Sequence, residues 1–124
     1  MGKAISVDGC QLAVVSPGTG DVEITSQPSD EIKINDKGVF FKEIKFSVSN
    51  SNGGGSVTNN DGTGQGSIIA TGKFITLTAT GDKVVLLDDV SASVPISGHS
   101  GSSSATGAVT VKVADAGQTD VIAL

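Results

Sequence analysis

The sequence predicts an all-β fold, a compact glycine-rich module of about ten short strands with a cone, prism or small barrel-like shape and no substantial helix. Apolar residues alternate with polar ones in many short segments, and no apolar period near 3.6 residues runs for a useful length. The clearest alternation places Ile44, Phe46 and Val48 on one face and serine and lysine on the other. The chain has 17 glycines and only four aromatic residues, all Phe. Its core must therefore be built from Val, Ile, Leu and Ala in closely approaching layers.

Length and charge limit the class of protein. The 124 residues predict one domain, 1–124, with a single modest core. Thirteen acidic residues against eight lysines give a net charge of −5, so nucleic acid is not expected as a partner. The N-terminal residues lack the apolar run of a signal peptide, and no segment approaches the length of a membrane span. We therefore expect assembly in the cytoplasm without a signal peptide.

In the first third of the chain, turn signals separate short apolar runs. Asp8-Gly9 lies between Ala4–Val7 and Leu12–Val15, which predicts a hairpin. Val22 and Ile24 alternate with polar residues as in a half-exposed strand. Further along, Pro28 is expected in a loop or at a strand start because it lacks an amide proton. A second hairpin is expected around the turn Asn35-Asp36-Lys37-Gly38.

The glycine-rich part of the chain predicts strands and two loops. Asn50–Gly66 and Gly98–Gly107 contain few apolar side chains, so they are expected to be flexible surface loops. Three strands are expected within the stretch Asp61–Val90, namely Ser67–Ala70, Phe74–Ala79 and Val84–Leu87. Strands are also expected over Val90–Ile96, where Pro95 indicates an edge or a strand end, over Val109–Val113, and over Thr119–Leu124.

No segment has the pattern of a catalytic, cofactor-binding or metal-binding site. Asn59, Asn60 and Asp61 could supply oxygen ligands to calcium, but the closing bidentate acid of an EF-hand loop is missing. The glycines of Gly62–Gly66 open a strand and not a helix, and Gly66–Lys73 has the wrong spacing for a phosphate-binding loop. These segments are better explained as a plain loop and strand.

The remaining candidate side chains also have simpler explanations. Asp88-Asp89 is the one Asp-Asp pair and could do acid–base work, but neighbours on a strand point to opposite faces. His99 lies among several serines, although a hydrolytic triad also needs an orienting acid and an oxyanion hole. Cys10 and His99 offer two zinc ligands where a closed site needs four, and a buried apolar Cys10 is expected. The chain is therefore not expected to be an enzyme.

The order of several short motifs resembles the PAAR-like spike-tip proteins of contractile phage tails and contractile injection systems. The matching motifs cover most of the chain. They are Val7-Asp8-Gly9, Gln27-Pro28-Ser29, Asp36-Lys37-Gly38-Val39 followed by Ile44–Val48, Gly64-Gln65-Gly66-Ser67-Ile68 with Ala70-Thr71, Lys83–Asp89, and Ala116-Gly117-Gln118.

The resemblance implies a virion or injection-apparatus component that caps a trimeric β-helical spike. Its implied partners are the spike protein, the target cell envelope that the tip helps to pierce on contraction, and in some systems an effector. The sequence departs from metal-bearing members, since it has no arginine, no Pro-Ala-Ala-Arg motif and one histidine. No active site is implied.

Two other functions fit the composition. A capsid decoration protein, or another virion structural protein, would share the glycine-rich and aromatic-poor composition. A small surface-binding or carbohydrate-binding β module is a third reading, but sugar sites usually use exposed aromatic side chains, and the chain has no Trp or Tyr. For the spike-tip reading, the strand with Ile44, Phe46 and Val48 and the strand with Val109, Val111 and Val113 are expected to divide the core and docking roles.

Overall fold

The computed structural model describes residues 3–53, 55–72 and 83–123. These residues form eleven β-strands and contain no helix, so none that could cross a membrane, and the predicted all-β fold class is confirmed. The strands are β1 (Lys3–Ala4), β2 (Gln11–Val14), β3 (Thr19–Ile24), β4 (Lys33–Ile34), β5 (Lys37–Gly38), β6 (Glu43–Gly53), β7 (Val57–Ile69), β8 (Val94–Ser100), β9 (Ser103–Val109), β10 (Val111–Asp115) and β11 (Ile122–Ala123).

Six strand segments lie side by side around the main part of the molecule. β3 pairs with β6, β6 with β7, and β10 with β2, all antiparallel. Residues 90–91 join these ladders, because Ile68 pairs with Ser91 and Val90 pairs with Lys112. β2 in turn packs against β3. The strand order therefore returns to its beginning, and the arrangement is barrel-like.

The larger apolar core fills this barrel. The predicted alternation along β6 is present, with Ile44, Phe46 and Val48 buried and Lys45 exposed. Burying apolar area on one face of each strand is the main stabilising contribution, at roughly 25 cal/mol per Å². The other buried side chains of this core that belong to named strands are Val57, Ile68, Val94, Ile96, Val109, Val111 and Val113.

A hairpin of β8 and β9 packs closely on the glycine-rich part of β7. A single bridge, between Thr63 and Ser97, pairs β7 with β8. A Cβ atom placed on Gly64 would lie only 2.3 Å from the main-chain oxygen of Pro95, and one on Gly98 would lie 2.8 Å from Cγ1 of Val57. Glycine is needed at these two strand positions because two layers of chain approach each other, and not because the backbone turns there.

The two predicted loops are strands, so that part of the secondary-structure prediction is wrong. Most of Asn50–Gly66 is the distal half of the β6–β7 hairpin, and most of Gly98–Gly107 is the β8–β9 hairpin. In sequence, glycine and asparagine are typical of a flexible backbone. Here glycine permits close packing, while Asn50 and Asn60 adopt positive φ angles of 51° and 55° within the strands. The single domain and the mobility of these segments stay predictions.

The predicted hairpins have different outcomes. Asp8-Gly9 forms a turn, but the runs on either side of it do not pair with each other, because β1 pairs with β11 and β2 pairs with β10. The second hairpin is confirmed as β4 and β5, whose connection Asn35-Asp36 has positive φ at both residues.

The later strand predictions are also mixed. Pro95 is the second residue of β8 and does not end a strand. The predicted strand over Val109–Val113 is divided at Thr110 between β9 and β10. The predicted strand Phe74–Ala79 lies outside the described residues.

Candidate functional site

One end of the barrel is closed by a triangular ring of three short chain segments, residues 5–7, 39–41 and 84–86. Each segment pairs antiparallel with the other two through the bridges Val7 to Val39, Phe41 to Val84 and Leu86 to Ile5. This ring was not predicted from the sequence, because its three members come from distant parts of the chain.

The hydrogen bonds of the ring repeat three times. Inside the ring, Ser6 N donates to Val85 O, Phe40 N to Ser6 O and Val85 N to Phe40 O, at 2.8, 3.1 and 3.2 Å. An outer set with the same pattern joins Asp8 N to Gly38 O, Lys42 N to Lys83 O and Leu87 N to Ala4 O, at 2.8, 2.9 and 2.8 Å. Every bridge thus has two bonds, which gives the ring a pseudo-three-fold backbone within one chain.

The two faces of the ring carry different side chains. The central residues Ser6, Phe40 and Val85 are buried, and the latter two belong to the core of the barrel. The six flanking side chains point to the opposite face, two from each segment, as strand alternation requires. They form a second apolar cluster of Ile5, Val7, Val39, Phe41, Val84 and Leu86, joined by Ile34 of β4 and by Ile32, which precedes β4.

This second cluster, here called the base cluster, is only partly covered by the described chain. Ile5, Val7, Val39 and Val84 are buried, whereas Phe41, Leu86, Ile32 and Ile34 keep part of their surface exposed. The expected division of core and docking roles between two strands is wrong, because the core contains the apolar side chains of both, namely Ile44, Phe46, Val48, Val109, Val111 and Val113. The base cluster is the better candidate for a docking face.

Two buried polar side chains tie other segments to the ring. The carboxylate of Asp89 accepts hydrogen bonds from Leu86 N at 2.9 Å, from Thr71 N at 3.2 Å and from the Thr71 hydroxyl. The Gln118 amide donates to Ile5 O and Val121 O and accepts from two backbone amides, at 2.7 to 2.9 Å. Both side chains therefore have structural roles, since their polar atoms are used by the backbone.

The two carboxylates of the acid pair are separated, but by a turn and not by strand alternation, because neither residue belongs to a strand. Asp88 lies in an exposed turn with φ of 70° and is 3.9 Å from the Lys3 ammonium, whereas Asp89 is 7 % exposed. The two carboxylates therefore do not form one acid–base site.

His99 has an acidic partner that the sequence did not reveal. Asp61 Oδ2 lies 2.7 Å from His99 Nδ1, and Asp61 Oδ1 accepts a hydrogen bond from His99 N at 2.8 Å. These hydrogen bonds from the side chain and backbone of His99 lower the pKa of Asp61. The neighbouring Asn59 amide exchanges two hydrogen bonds with the backbone of Gly101. Side chains of β7 thus hold the turn of the β8–β9 hairpin in place.

An open groove of about 470 Å³ lies along that hairpin. Ser97, Gly98, His99, Ser104, Ala105 and Thr106 line it. His99 and Ser104 are opposite each other across the strands, but no hydrogen bond joins them among the described residues. The orienting acid of a triad is present, while the activated serine that hydrolysis requires is not shown by this geometry.

Cys10 is buried, and its burial raises the thiol pKa to about 11, with the Asp8 and Asp115 carboxylates acting in the same direction. The thiol therefore stays protonated near neutral pH, which makes it a poor metal ligand or nucleophile. Among the described residues, no three His, Cys, Asp or Glu side chains are close enough to hold a metal ion. The calcium candidates Asn59 and Asp61 use their oxygens on the β8–β9 hairpin.

Comparison of the chain with protein-family models, with curated proteins and with solved structures gave no match.

Proposed function

We propose that this chain is a structural tip protein that caps the trimeric β-helical spike of a contractile phage tail or injection system and helps to pierce the target cell envelope. In this proposal the base cluster meets the blunt end of the spike, and the barrel points toward the target. The proposal assigns no catalysis to the chain.

The triangular ring is the observation that carries the proposal. The end of a trimeric β-helix repeats its surface three times around its axis, so a cap that repeats its own backbone three times can meet each subunit in a similar way. Two apolar side chains from each ring segment face the same side. A single copy of the chain can therefore make similar contacts with all three subunits of the spike trimer.

The surface chemistry of the base cluster gives a second support. Phe41, Leu86, Ile32 and Ile34 are partly exposed apolar side chains that pack together in one cluster on an acidic molecule. Covering such a patch against a preformed partner removes apolar area from water and orders few side chains. A standard interface of roughly 800 Å² per partner is a reasonable size for this contact.

The test is native mass spectrometry of the full chain mixed with the spike protein encoded nearest to it in its genome. We expect one copy of the chain per spike trimer. Ile34→Lys, which places a charge on the edge of the base cluster, should weaken the complex by roughly tenfold or more. Ile69→Lys is the matched control, because Ile69 is 59 % exposed on the barrel wall, and it should leave binding unchanged.

Both variants must keep the wild-type circular dichroism spectrum, which shows that a loss of binding is not caused by unfolding. Ile32→Lys tests a second position on the base cluster. Equal weakening by the wall and cluster substitutions would overturn the choice of docking face. If the chain does not bind the spike protein at micromolar concentration but binds capsids or a glycan, the spike-tip function is wrong. The chain would then be a decoration protein or a surface-binding module.

A further inference from the structure

Three Asp-Gly or Asn-Gly pairs occur in the chain, and they sit in different environments. Asp8-Gly9 forms the turn between the first ring segment and β2, whereas Asn52-Gly53 and Asp61-Gly62 lie within β6 and β7. In such pairs the small glycine allows its amide nitrogen to attack the preceding side-chain carbonyl carbon. Folding decides which pair can reach that geometry.

The two strand pairs are blocked by their packing. A Cβ atom on Gly53 would lie 2.6 Å from Val109 Cγ1, and one on Gly62 would lie 2.7 Å from Ser51 O. The Asp61 carboxylate is also occupied at both oxygens by His99. Neither backbone can rotate toward a cyclic intermediate without opening the β6–β7 ladder.

The turn pair is open. Asp8 and Gly9 are both exposed, Gly9 has a φ of 91°, and the space that a Cβ on Gly9 would occupy has no neighbour within 4 Å. Within the described residues, no hydrogen bond or ion pair holds the Asp8 side chain. The backbone hydrogen bonds of this turn use Asp8 N and Cys10 N as donors, so the Gly9 nitrogen is left as the nucleophile.

We propose that Asp8 is a site of spontaneous isoaspartate formation in the folded protein. The Gly9 amide nitrogen bonds to Asp8 Cγ, loses its proton, and a carboxyl oxygen leaves as water, which gives a five-membered succinimide. Water then adds to one of the two ring carbonyls. Attack at Cγ restores aspartate, while attack at the main-chain carbonyl carbon breaks the original peptide bond and leaves the chain linked through Cγ. The net reaction has no change in mass and needs no co-reactant besides water.

The product changes the edge of the triangular ring. IsoAsp8 adds one methylene to the backbone between the residue that bridges Val39 and the start of β2. Two backbone hydrogen bonds flank this longer segment. Asp8 N donates to Gly38 O at 2.8 Å, and Cys10 N donates to Val7 O at 2.9 Å. This inference stands apart from the proposed function, because it depends only on the turn.

The experiment is to incubate the intact protein at neutral pH in H₂¹⁸O and to map each pair by peptide mass spectrometry with electron-transfer fragmentation. We expect ¹⁸O uptake and isoaspartate at Asp8 at a rate roughly tenfold or more above that at Asp61, because the Asp61 pair must first open the sheet. In urea, where the fold is lost, the two rates should become similar.

Two variants sharpen the result. Asp8→Glu should abolish the reaction at this position, since the longer side chain disfavours the five-membered ring. Asp8→Asn should react faster than the wild type and gain about 1 Da as ammonia is released. Equal rates at Asp8 and Asp61 in the folded protein would overturn the proposal, and so would a folded protein in which Asp8 stays unmodified while the unfolded chain reacts.

Discussion

Adding one methyl group at Gly64 tests whether glycine in β7 is required by the close approach of two layers. In Gly64→Ala the new Cβ would lie 2.3 Å from Pro95 O and 3.2 Å from Ile96 Cγ2. The nearest obstacle is backbone, so β7 and β8 would have to separate by about 0.7 Å to reach the shortest contact that real Cβ atoms make.

The expected loss of stability follows from two opposing effects. Overpacking of this kind costs about 1–3 kcal/mol or more, while replacing glycine by alanine restricts the unfolded chain and returns about 0.4–1 kcal/mol. We expect Gly64→Ala to lower the free energy of unfolding by about 2 kcal/mol, and the melting temperature by roughly 8 °C for a domain of this size.

Urea unfolding followed by far-UV circular dichroism is the suitable assay, because the chain has no Trp or Tyr for fluorescence. Gly66→Ala provides a graded comparison, since its obstacles are the side chains of Val94 and Phe46 at 2.8 and 3.0 Å, which can move. At Gly55 the added methyl group would have no neighbour within 4 Å, so the only cost of Gly55→Ala is the positive φ of 74°. If Gly64→Ala is no less stable than Gly55→Ala, the close-approach argument for these strand glycines is wrong.

Four further predictions use the same unfolding assay or amide exchange. Ser6→Ala should raise stability by about 1 kcal/mol, because the buried Ser6 hydroxyl has no hydrogen-bond partner among the described residues; a loss would show that the hydroxyl is satisfied. Asp89→Ala should cost about 3 kcal/mol, because it leaves backbone donors unpaired, whereas Asp88→Asn in the exposed turn should stay within about 0.5 kcal/mol. The pKa of Asp61 is lowered in the folded state, so the ionised Asp61 carboxylate stabilises the fold above about pH 4, and this stabilisation is lost as pH falls through the folded pKa. The stability difference between wild type and Asp61→Asn should therefore shrink in acid. A difference that grows in acid would contradict the lowered pKa. Amides paired between β8 and β9 should exchange more slowly than those of residues 25–32, which belong to no strand, and equal rates would show that the hairpin opens freely.

Local patterns predicted those parts of the fold that local physics controls. Alternation at Ile44–Val48 identifies a strand because burial of one face has a period of two residues. The turn at Asn35-Asp36 is also local, since both residues tolerate positive φ. These predictions needed no knowledge of what the strands pair with.

The missed features depend on contacts between distant residues. The glycines of β7 look like a flexible loop until β8 lies on them, and the pairing of Asp61 with His99 joins residues 38 positions apart. The three ring segments share only a weak sequence pattern, since the first and third residues of Ile5–Val7, Val39–Phe41 and Val84–Leu86 are apolar. In the structure, each segment is followed within three residues by a position with positive φ. No local rule indicates that three such segments close on one another.

Closure of the ring also governs when the chain can fold. Each of the first two segments lacks one of its two partners until residues 84–86 have been synthesised, and the Gln118 amide must still return to Ile5 O, 113 residues earlier in the chain. A nascent chain that has emerged from the ribosome only as far as β7 lacks residues 84–86, 90–91 and β10, so the backbone groups that pair with them are open to another nascent chain. Contacts of such high sequence separation slow folding, so we expect the ring to close late in folding, after the contacts within the β6–β7 hairpin have formed.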